Sequence, residues 1–252
     1  MVIQIPVQCE INLYLTTGDK FIFDVDGTLT PSREVMDPNF KEWFLHFITR
    51  YPVILISGSD RDKTIEQVGV DIVENVEYCF SCAGNVVYHK NQLVHQSMWT
   101  PPVELIDHLT HALVRSPWPT RNGNHIETRT GLVNFSVIGR NCTREQREEY
   151  YHWDQEHQER AEICKRLKEL LPDLTFEIGG QISIDIFPNG HDKSQILSYI
   201  KQPVIFFGDR MEPGGNDYAL AQSILDTAQG RCYNVINWTD TQKELLKLCP
   251  NV

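Results

Sequence analysis

The chain has 252 residues, 41% of them hydrophobic and 23% charged, which allows a single large globular domain or a bipartite fold with a sizeable core. Its formal net charge of −11 argues against nucleic acid as a partner, and an anionic substrate would need a local cluster of Lys and Arg against that global field. No apolar run approaches the ~18 residues of a membrane span, and seven scattered cysteines, an odd number, suggest reduced thiols and a cytoplasmic setting.

In chain order, residues 1–18 read as an extension with no nameable chemistry, ahead of a strand at Lys20 to Asp24. Phe40, Trp43, Phe44 and Phe47 recur at helical spacing, which predicts a helix over 38–50 with those rings in the core. A second strand signal, Tyr51-Pro-Val-Ile-Leu-Ile, runs into Ser57-Gly58-Ser59-Asp60, followed by a helix to about Gly69 and a short third strand at Tyr78-Cys-Phe. Alternating strands and helices argue for a parallel α/β sheet. The middle differs. A hairpin is expected around Lys90-Asn91, a helix over 102–114, strands over 121–129 and 132–138, and one long charged helix over 145–171. Two more strands, at Phe176-Glu-Ile and 182–187, are divided by Gly179-Gly180. This pattern predicts a separate α+β unit inserted over 91–190, leaving 1–90 and 191–252 as the core. The α/β pattern resumes with a helix from Asp192-Lys193, a strand at 203–207, and a last helix over 241–248. Cys79-Phe-Ser-Cys82 is a lone CxxC, too little for a zinc site. With no secretion signal expected, the glycosylation patterns at Asn134, Asn141 and Asn237 read as chance.

Chemistry concentrates at Phe21-Ile-Phe-Asp24-Val-Asp26-Gly27-Thr28. Carboxylates two apart leave a strand on one side, and a glycine permits the turn that follows. One carboxylate can act as nucleophile and the other as proton donor and acceptor. Their repulsion calls for a cation, and oxygen ligands suit a hard ion such as Mg²⁺ (magnesium). Taken alone, the stretch reads more readily as a solvated turn after a strand. Ser57 and Ser59 could seat a phosphate or cap a helix, or do both. Lys193 and Asp209, with Asn216 and Asp217, complete an ordered set. In a parallel sheet the strand ends share one edge, so Asp24 and Asp209 can converge on one metal.

With Phe23-Asp-Val-Asp-Gly-Thr-Leu-Thr30, Ile138-Gly-Arg140, Ile178-Gly-Gly-Gln-Ile-Ser183 through Asp185 to Pro188, Asp192-Lys193, Phe206-Phe-Gly-Asp209 and Pro213-Gly-Gly-Asn-Asp217, the chain resembles the haloacid dehalogenase (HAD) superfamily. Within it, the chain resembles the eukaryotic-type phosphomannomutases from about Phe21 to the C-terminus. The resemblance implies a Rossmann-like HAD core with an inserted α+β cap. It implies Asp24 as the phosphorylated nucleophile, Asp26 as general acid/base, and Lys193 as a catalytic cation. Mg²⁺ would be held by Asp24, the Asp26 carbonyl and Asp209, with Asn216 and Asp217 supporting it through water. Arg33, Ser57, Ser59, Arg129, Arg140, Arg147, Ser183 and Asp185 would bind a hexose phosphate.

The implied reaction interconverts mannose 6-phosphate and mannose 1-phosphate through an aspartyl-phosphate and a hexose 1,6-bisphosphate activator. It would supply GDP-mannose synthesis, in a cytoplasmic homodimer joined through the cap. A Mg²⁺-dependent sugar-phosphate phosphatase is the alternative, and a catalytically silent interaction protein a third reading. Ser81-Cys82-Ala83-Gly84 and His191 depart from the family pattern, the first where an acidic residue and asparagine usually precede the glycine, the second at a usual tryptophan.

Overall fold

The computed structural model describes residues 18–250, so most of the extension expected ahead of the first strand lies outside the described residues. The chain enters with β1 (Lys20–Asp24) and crosses through α1 (Pro38–Arg50) to β2 (Val53–Ile56). It continues through α2 (Arg61–Val68) and α3 (Val70–Asn75) to β3 (Tyr78–Ser81). These three strands are parallel, and a hairpin of β4 (Val86–His89) and β5 (Gln92–Gln96) extends their sheet antiparallel. The insertion follows as α4 (Val103–Arg115), β6 (Ile126–Arg129), β7 (Leu132–Phe135), α5 (Arg144–His157), α6 (Glu159–Leu170), β8 (Leu174–Gly179) and β9 (Ser183–Pro188). Its strands form their own antiparallel sheet, ordered β6-β7-β9-β8. A 3₁₀ turn at Lys193–Ser198 leads back to β10 (Val204–Gly208), α7 (Tyr218–Asp226), β11 (Gly230–Asn234) and α8 (Trp238–Leu248). The core sheet then reads β11-β10-β1-β2-β3-β4-β5, with β1 near its centre.

β1 is buried because both of its faces are apolar. Phe21 and Phe23 point to one side, where Phe44 and Phe47 of α1 meet them edge-on at 4.9 Å for Phe21–Phe47 and 5.2 Å for Phe23–Phe44. Ile22 points to the other side, among Ile196, Phe206, Leu220 and Ile224. The expected aromatic stripe of α1 is core at Phe40, Phe44 and Phe47, with Trp43 half-buried against them. Asp37 caps that helix, its carboxylate accepting from the amides of Asn39 and Phe40 at 3.0 Å.

Several expectations need correction. The boundary at 90/91 cuts through a hairpin whose second strand lies in the core sheet, so that sheet runs to Gln96. The single helix expected over 145–171 is two, broken at Gln158, whose φ of 55° no α-helix tolerates. The helix from Asp192 is 3₁₀, and α3, α7 and β11 were not anticipated.

The break at Gln158 has a structural use. Arg160, 2% exposed, donates from its backbone N and Nε to Asp154 at 2.9 and 2.7 Å, and from Nη1 to the carbonyls of Gly180 and Ser183 at 3.0 and 3.2 Å. One guanidinium thus ties the α5–α6 corner to the β8–β9 turn. Breaking a buried pair leaves an uncompensated charge, so Arg160→Ala should cost about 3–5 kcal/mol in urea unfolding. A loss below about 1 kcal/mol would show that the pair does not hold the turn.

Candidate functional site

Parallel pairing sets β1, β2 and β10 side by side, with Phe23 opposite Phe207 and Asp24 opposite Ile56. Their C-terminal ends therefore deliver Asp24, Ser57 and Asp209 to one edge. After β1 the chain folds back on itself, the Val25 carbonyl accepting from the amides of Leu29 and Thr30 at 3.0 and 3.1 Å. Gly27 sits at φ 85°, and a Cβ there would collide with the Asp209 carboxylate. Only glycine allows the first acidic loop to lie against the second. Asp26 is oriented by Gln67 Nε2 at 2.9 Å and by the amide of Arg33 at 2.7 Å. Gln67 also donates to Thr30 Oγ1 at 3.2 Å.

At the centre, the buried Lys193 ammonium donates to Asp24 Oδ1 at 2.5 Å and to Asp217 Oδ1 at 2.7 Å. Burial alone would lower the Lys193 pKa, but Asp217 and Asp24 outweigh it and hold the lysine charged. Burial raises the Asp24 carboxyl well above the usual range, opposed by Lys193 and reinforced by Asp217 and Asp209. Burial, then the Asp217 charge, pushes Asp209 up to about 6. Asp24, Asp209 and Asp217 each offer a carboxylate oxygen within 4.8 Å of one another. Asp24 Oδ2 is buried and makes no hydrogen bond. An orphaned acceptor among crowded carboxylates fits a hard divalent cation.

The opposing surface is the cap sheet. Its register puts Glu127 and Arg129 of β6, Asn134 of β7 and Ser183 and Asp185 of β9 on one face, while Val133, Ile184 and Ile186 point into the cap core. Arg129 Nη2 donates to Glu127 Oε2 at 2.7 Å, Arg140 Nε lies 3.6 Å from the same oxygen, and Arg140 Nη1 donates to Ser183 Oγ at 3.0 Å. Arg33 comes from the core loop that follows Asp26. Burial and the nearby Arg147 charge lower its pKa, and Arg129 adds to the effect. Burial, Arg33 and Arg129 lower that of Arg140. Burial alone would lower Arg129, yet Glu127 carries it above the usual range. Four guanidinium groups thus share one region, in a protein with an acidic total.

The sequence profile of eukaryotic phosphomannomutase matches residues 40–250. The chain belongs to the eukaryotic phosphomannomutase family. It is 38% identical to a phosphomannomutase of Galdieria sulphuraria over 92% of this chain and 95% of that one. Against the Saccharomyces cerevisiae phosphomannomutase the identity is 37%, over 79% and 83%. A haloacid dehalogenase-like hydrolase from Bacteroides thetaiotaomicron superposes at TM-score 0.61 with 13% identity, over 92% of this chain and 100% of that one. An IMP-nucleotidase of Plasmodium falciparum gives TM-score 0.63 at 13% identity, over 93% and 69%. At such identities these two show the HAD-type fold alone.

Within this phosphomannomutase-family frame, the residues singled out by sequence fall into two groups. Asp24, Asp26, Lys193, Asp209 and Asp217 gather at the core edge, with Ser57 and Ser59 in the loop after β2, where Ser57 Oγ accepts from the Ser59 amide at 3.0 Å. Asn216 is exposed beside Asp217. Arg33, Arg129, Arg140, Arg147, Ser183 and Asp185 gather at the cap face. The departures from the family pattern meet at the junction of core and cap. Cys82 and Ala83 are left-handed, at φ 51° and 57°, and His191 Nδ1 lies 3.2 Å from Asn85 Oδ1. Sequence reasoning missed Gln67, Asn134 and Arg210. The first bridges 41 positions to Asp26, Asn134 Nδ2 donates to Asp185 Oδ1 at 2.5 Å, and the Arg210 amide donates to Asp217 Oδ2 at 3.2 Å. Gln67 carries no local motif, the glycosylation pattern at Asn134 says nothing of its bond to Asp185, and Arg210 acts through its backbone amide.

The raised Asp209 pKa fixes a sign. Without metal, the folded protein keeps this proton to about pH 6, whereas the unfolded chain releases it near 3.8. Stability therefore falls as pH rises through that window, and the penalty persists above it. In EDTA at pH 7.5, Asp209→Asn should be more stable than wild type, by up to about 3 kcal/mol, and should lose the rise in Tm that Mg²⁺ gives the wild type. Thermal melts with EDTA and with Mg²⁺ check both. No gain in EDTA together with an undiminished Mg²⁺ response would remove Asp209 from the metal site.

Proposed function

We propose that the protein is a phosphomannomutase, interconverting mannose 6-phosphate and mannose 1-phosphate through phospho-Asp24 and a hexose 1,6-bisphosphate. What carries the reading is the pairing of two unlike centres in one cleft, the Lys193-held carboxylates at the core edge and the four arginines at the cap face. A phosphatase needs to grip only the phosphoryl group it removes. A mutase must also hold a second phosphate while the first reacts, and guanidinium forks suit that task.

Lys193 bonds Asp24 Oδ1 and leaves Oδ2 without a partner; with Mg²⁺ bound, one oxygen of this carboxylate would meet the metal and the other would attack phosphorus. Asp26, fixed by Gln67 and the Arg33 amide, would pass the proton to and from the sugar hydroxyl. Lys193 and the Ser57/Ser59 loop would steady the transferring oxygens. Mg²⁺, held by Asp24, the Asp26 carbonyl and Asp209 with Asp217 and Asn216 behind them, would supply cationic stabilisation of the phosphoryl charge. Ser183 and Asp185 would meet the sugar, and Arg33, Arg129, Arg140 and Arg147 the remote phosphate.

A cytoplasmic setting fits the six free cysteines among the described residues, and none of the described helices is long and apolar enough to cross a membrane. A homodimer through the cap fits Val103 and Val114, both 77% exposed on α4.

The deciding assay feeds mannose 1-phosphate with Mg²⁺ and a trace of bisphosphate, and follows mannose 6-phosphate against free phosphate. Predominant mannose 6-phosphate is expected; predominant free phosphate would replace the mutase by a phosphatase. Asp24→Asn should abolish turnover, because an amide is a poor nucleophile, and near-normal activity would unseat it. Arg140→Ala should lower mutase turnover by about tenfold more than hydrolysis of a small phosphate ester, reflecting a lost charge-assisted grip. Equal losses would make Arg140 structural.

A further inference from the structure

Glu177 of β8 has been given no role so far, yet the cap sheet aims it into the cleft. Register pairs it with Asp185 on β9, Asp185 with Asn134 on β7, and Asn134 with Glu127 on β6. Directly paired residues project from the same face, so these four side chains form one row across the sheet. Three of them are spoken for. Glu127 holds Arg129, and Asn134 and Asp185 bond each other. Among the described residues, the Glu177 carboxyl makes no hydrogen bond or ion pair.

The charged groups facing its carboxyl come from both halves of the molecule. Asp185 faces it from its own sheet, Asp192 and Lys193 from the return crossing, and Arg210 from the loop after β10. Glu177 therefore stands between Asp185, at the edge of the arginine cluster, and Lys193, bonded to the nucleophile. Burial, then Asp192 and Asp185, push this carboxyl up to about 7, so near neutral pH it can offer a lone pair or an O–H.

We propose that Glu177 is a specificity residue that hydrogen-bonds a ring hydroxyl of the hexose phosphate. Phosphates go to the cationic ends of the cleft, and a carboxyl repels them. What lies between two phosphates on a hexose is a ring of hydroxyls, and an unpartnered carboxyl on the facing wall suits those. The inference rests on reading the cleft as a hexose-phosphate site, and extends it to which hexose is preferred.

The test compares wild type with Glu177→Gln, which keeps size, and Glu177→Ser, which withdraws the group. Substrates are mannose 1-phosphate, glucose 1-phosphate and p-nitrophenyl phosphate, which has no polyol ring. For both variants kcat/KM on the preferred hexose phosphate should fall by about tenfold, chiefly through KM, and the mannose-to-glucose ratio should shift by at least about threefold. The loss on the aryl ester should be smaller by at least about fivefold. Glu177→Gln should also erase a limb near pH 7 from the hexose-phosphate profile. Equal losses on all three substrates would make the residue structural. An unchanged sugar ratio, or a limb that survives the substitution, would overturn the hydroxyl contact while leaving the mutase reading intact. A wild type that turns over the aryl ester but no hexose phosphate would overturn both.

Discussion

The Lys193 ammonium, buried between Asp24 and Asp217, is the constraint on which the site depends. A lone lysine in this position would shed its proton, and two carboxylates this close would not both stay ionised. Together the three groups compensate one another, and the cation ties three distant chain segments: the end of β1, the loop after β10, and the return crossing from the cap. The triad orients as well as neutralises. It takes Asp24 Oδ1 and leaves Oδ2 without a hydrogen-bond partner, and it takes one oxygen of Asp217, whose other accepts from the Arg210 amide. Neutralising the lysine would remove the group that opposes the effect of burial on Asp24 and aligns this edge, a different loss from deleting a surface ion pair.

The charge layout divides between the two sheets. The parallel strands of the core sheet concentrate acid because their ends converge and Gly27 lets two acidic loops touch. The antiparallel cap sheet presents its polar face to that edge, and alternation along β9 separates Ser183 and Asp185 from the apolar Ile184 and Ile186 behind them. One period-two pattern thus supplies both the cap core and the cleft wall. Arg160 secures it from the rear, bonding the carbonyls of Gly180 and Ser183, so that Ser183 can meet Arg140 in front.

How much was legible in the sequence follows from where the signals lie. β1, β2 and β10 are short apolar runs ending in polar loops, and such runs announce buried parallel strands. The site residues on their ends came with them, because position on a strand end is a local property. The α5–α6 corner carries no glycine or proline; Gln158 adopts φ 55° because Arg160 and Asp154 lock the turn, a tertiary cause. β11, Gly230–Asn234, is half-buried and polar at the sheet edge, with no alternation to read. β5 is exposed throughout and joins the core sheet only by pairing with β4, so the sequence boundary fell short. Gln67 and Asn134 matter through hydrogen-bond partners far along the chain, which no spacing rule exposes. Glu177 is visible only once the register across four strands is known.

The arginine cluster carries a consequence for how core and cap respond to a ligand. Arg33 belongs to the core, while Arg129, Arg140 and Arg147 belong to the cap, and burial, with their mutual repulsion added to it, lowers the pKa of both Arg33 and Arg140. Glu127 offsets some of this, holding Arg129 directly and lying 3.6 Å from Arg140. Asp185 and Glu127 of the cap attract Arg33, while Arg147 and Arg129 repel it. A phosphate dianion among the four adds to the attraction, because it draws on each of them at once. A ligand shifts an equilibrium only by its differential affinity, and here that difference is built in: the arrangement that unites the four arginines binds the anion better than any that draws Arg33 away. On the proposed reading, a substrate phosphate would also be a charge that favours keeping cap and core together over Asp24.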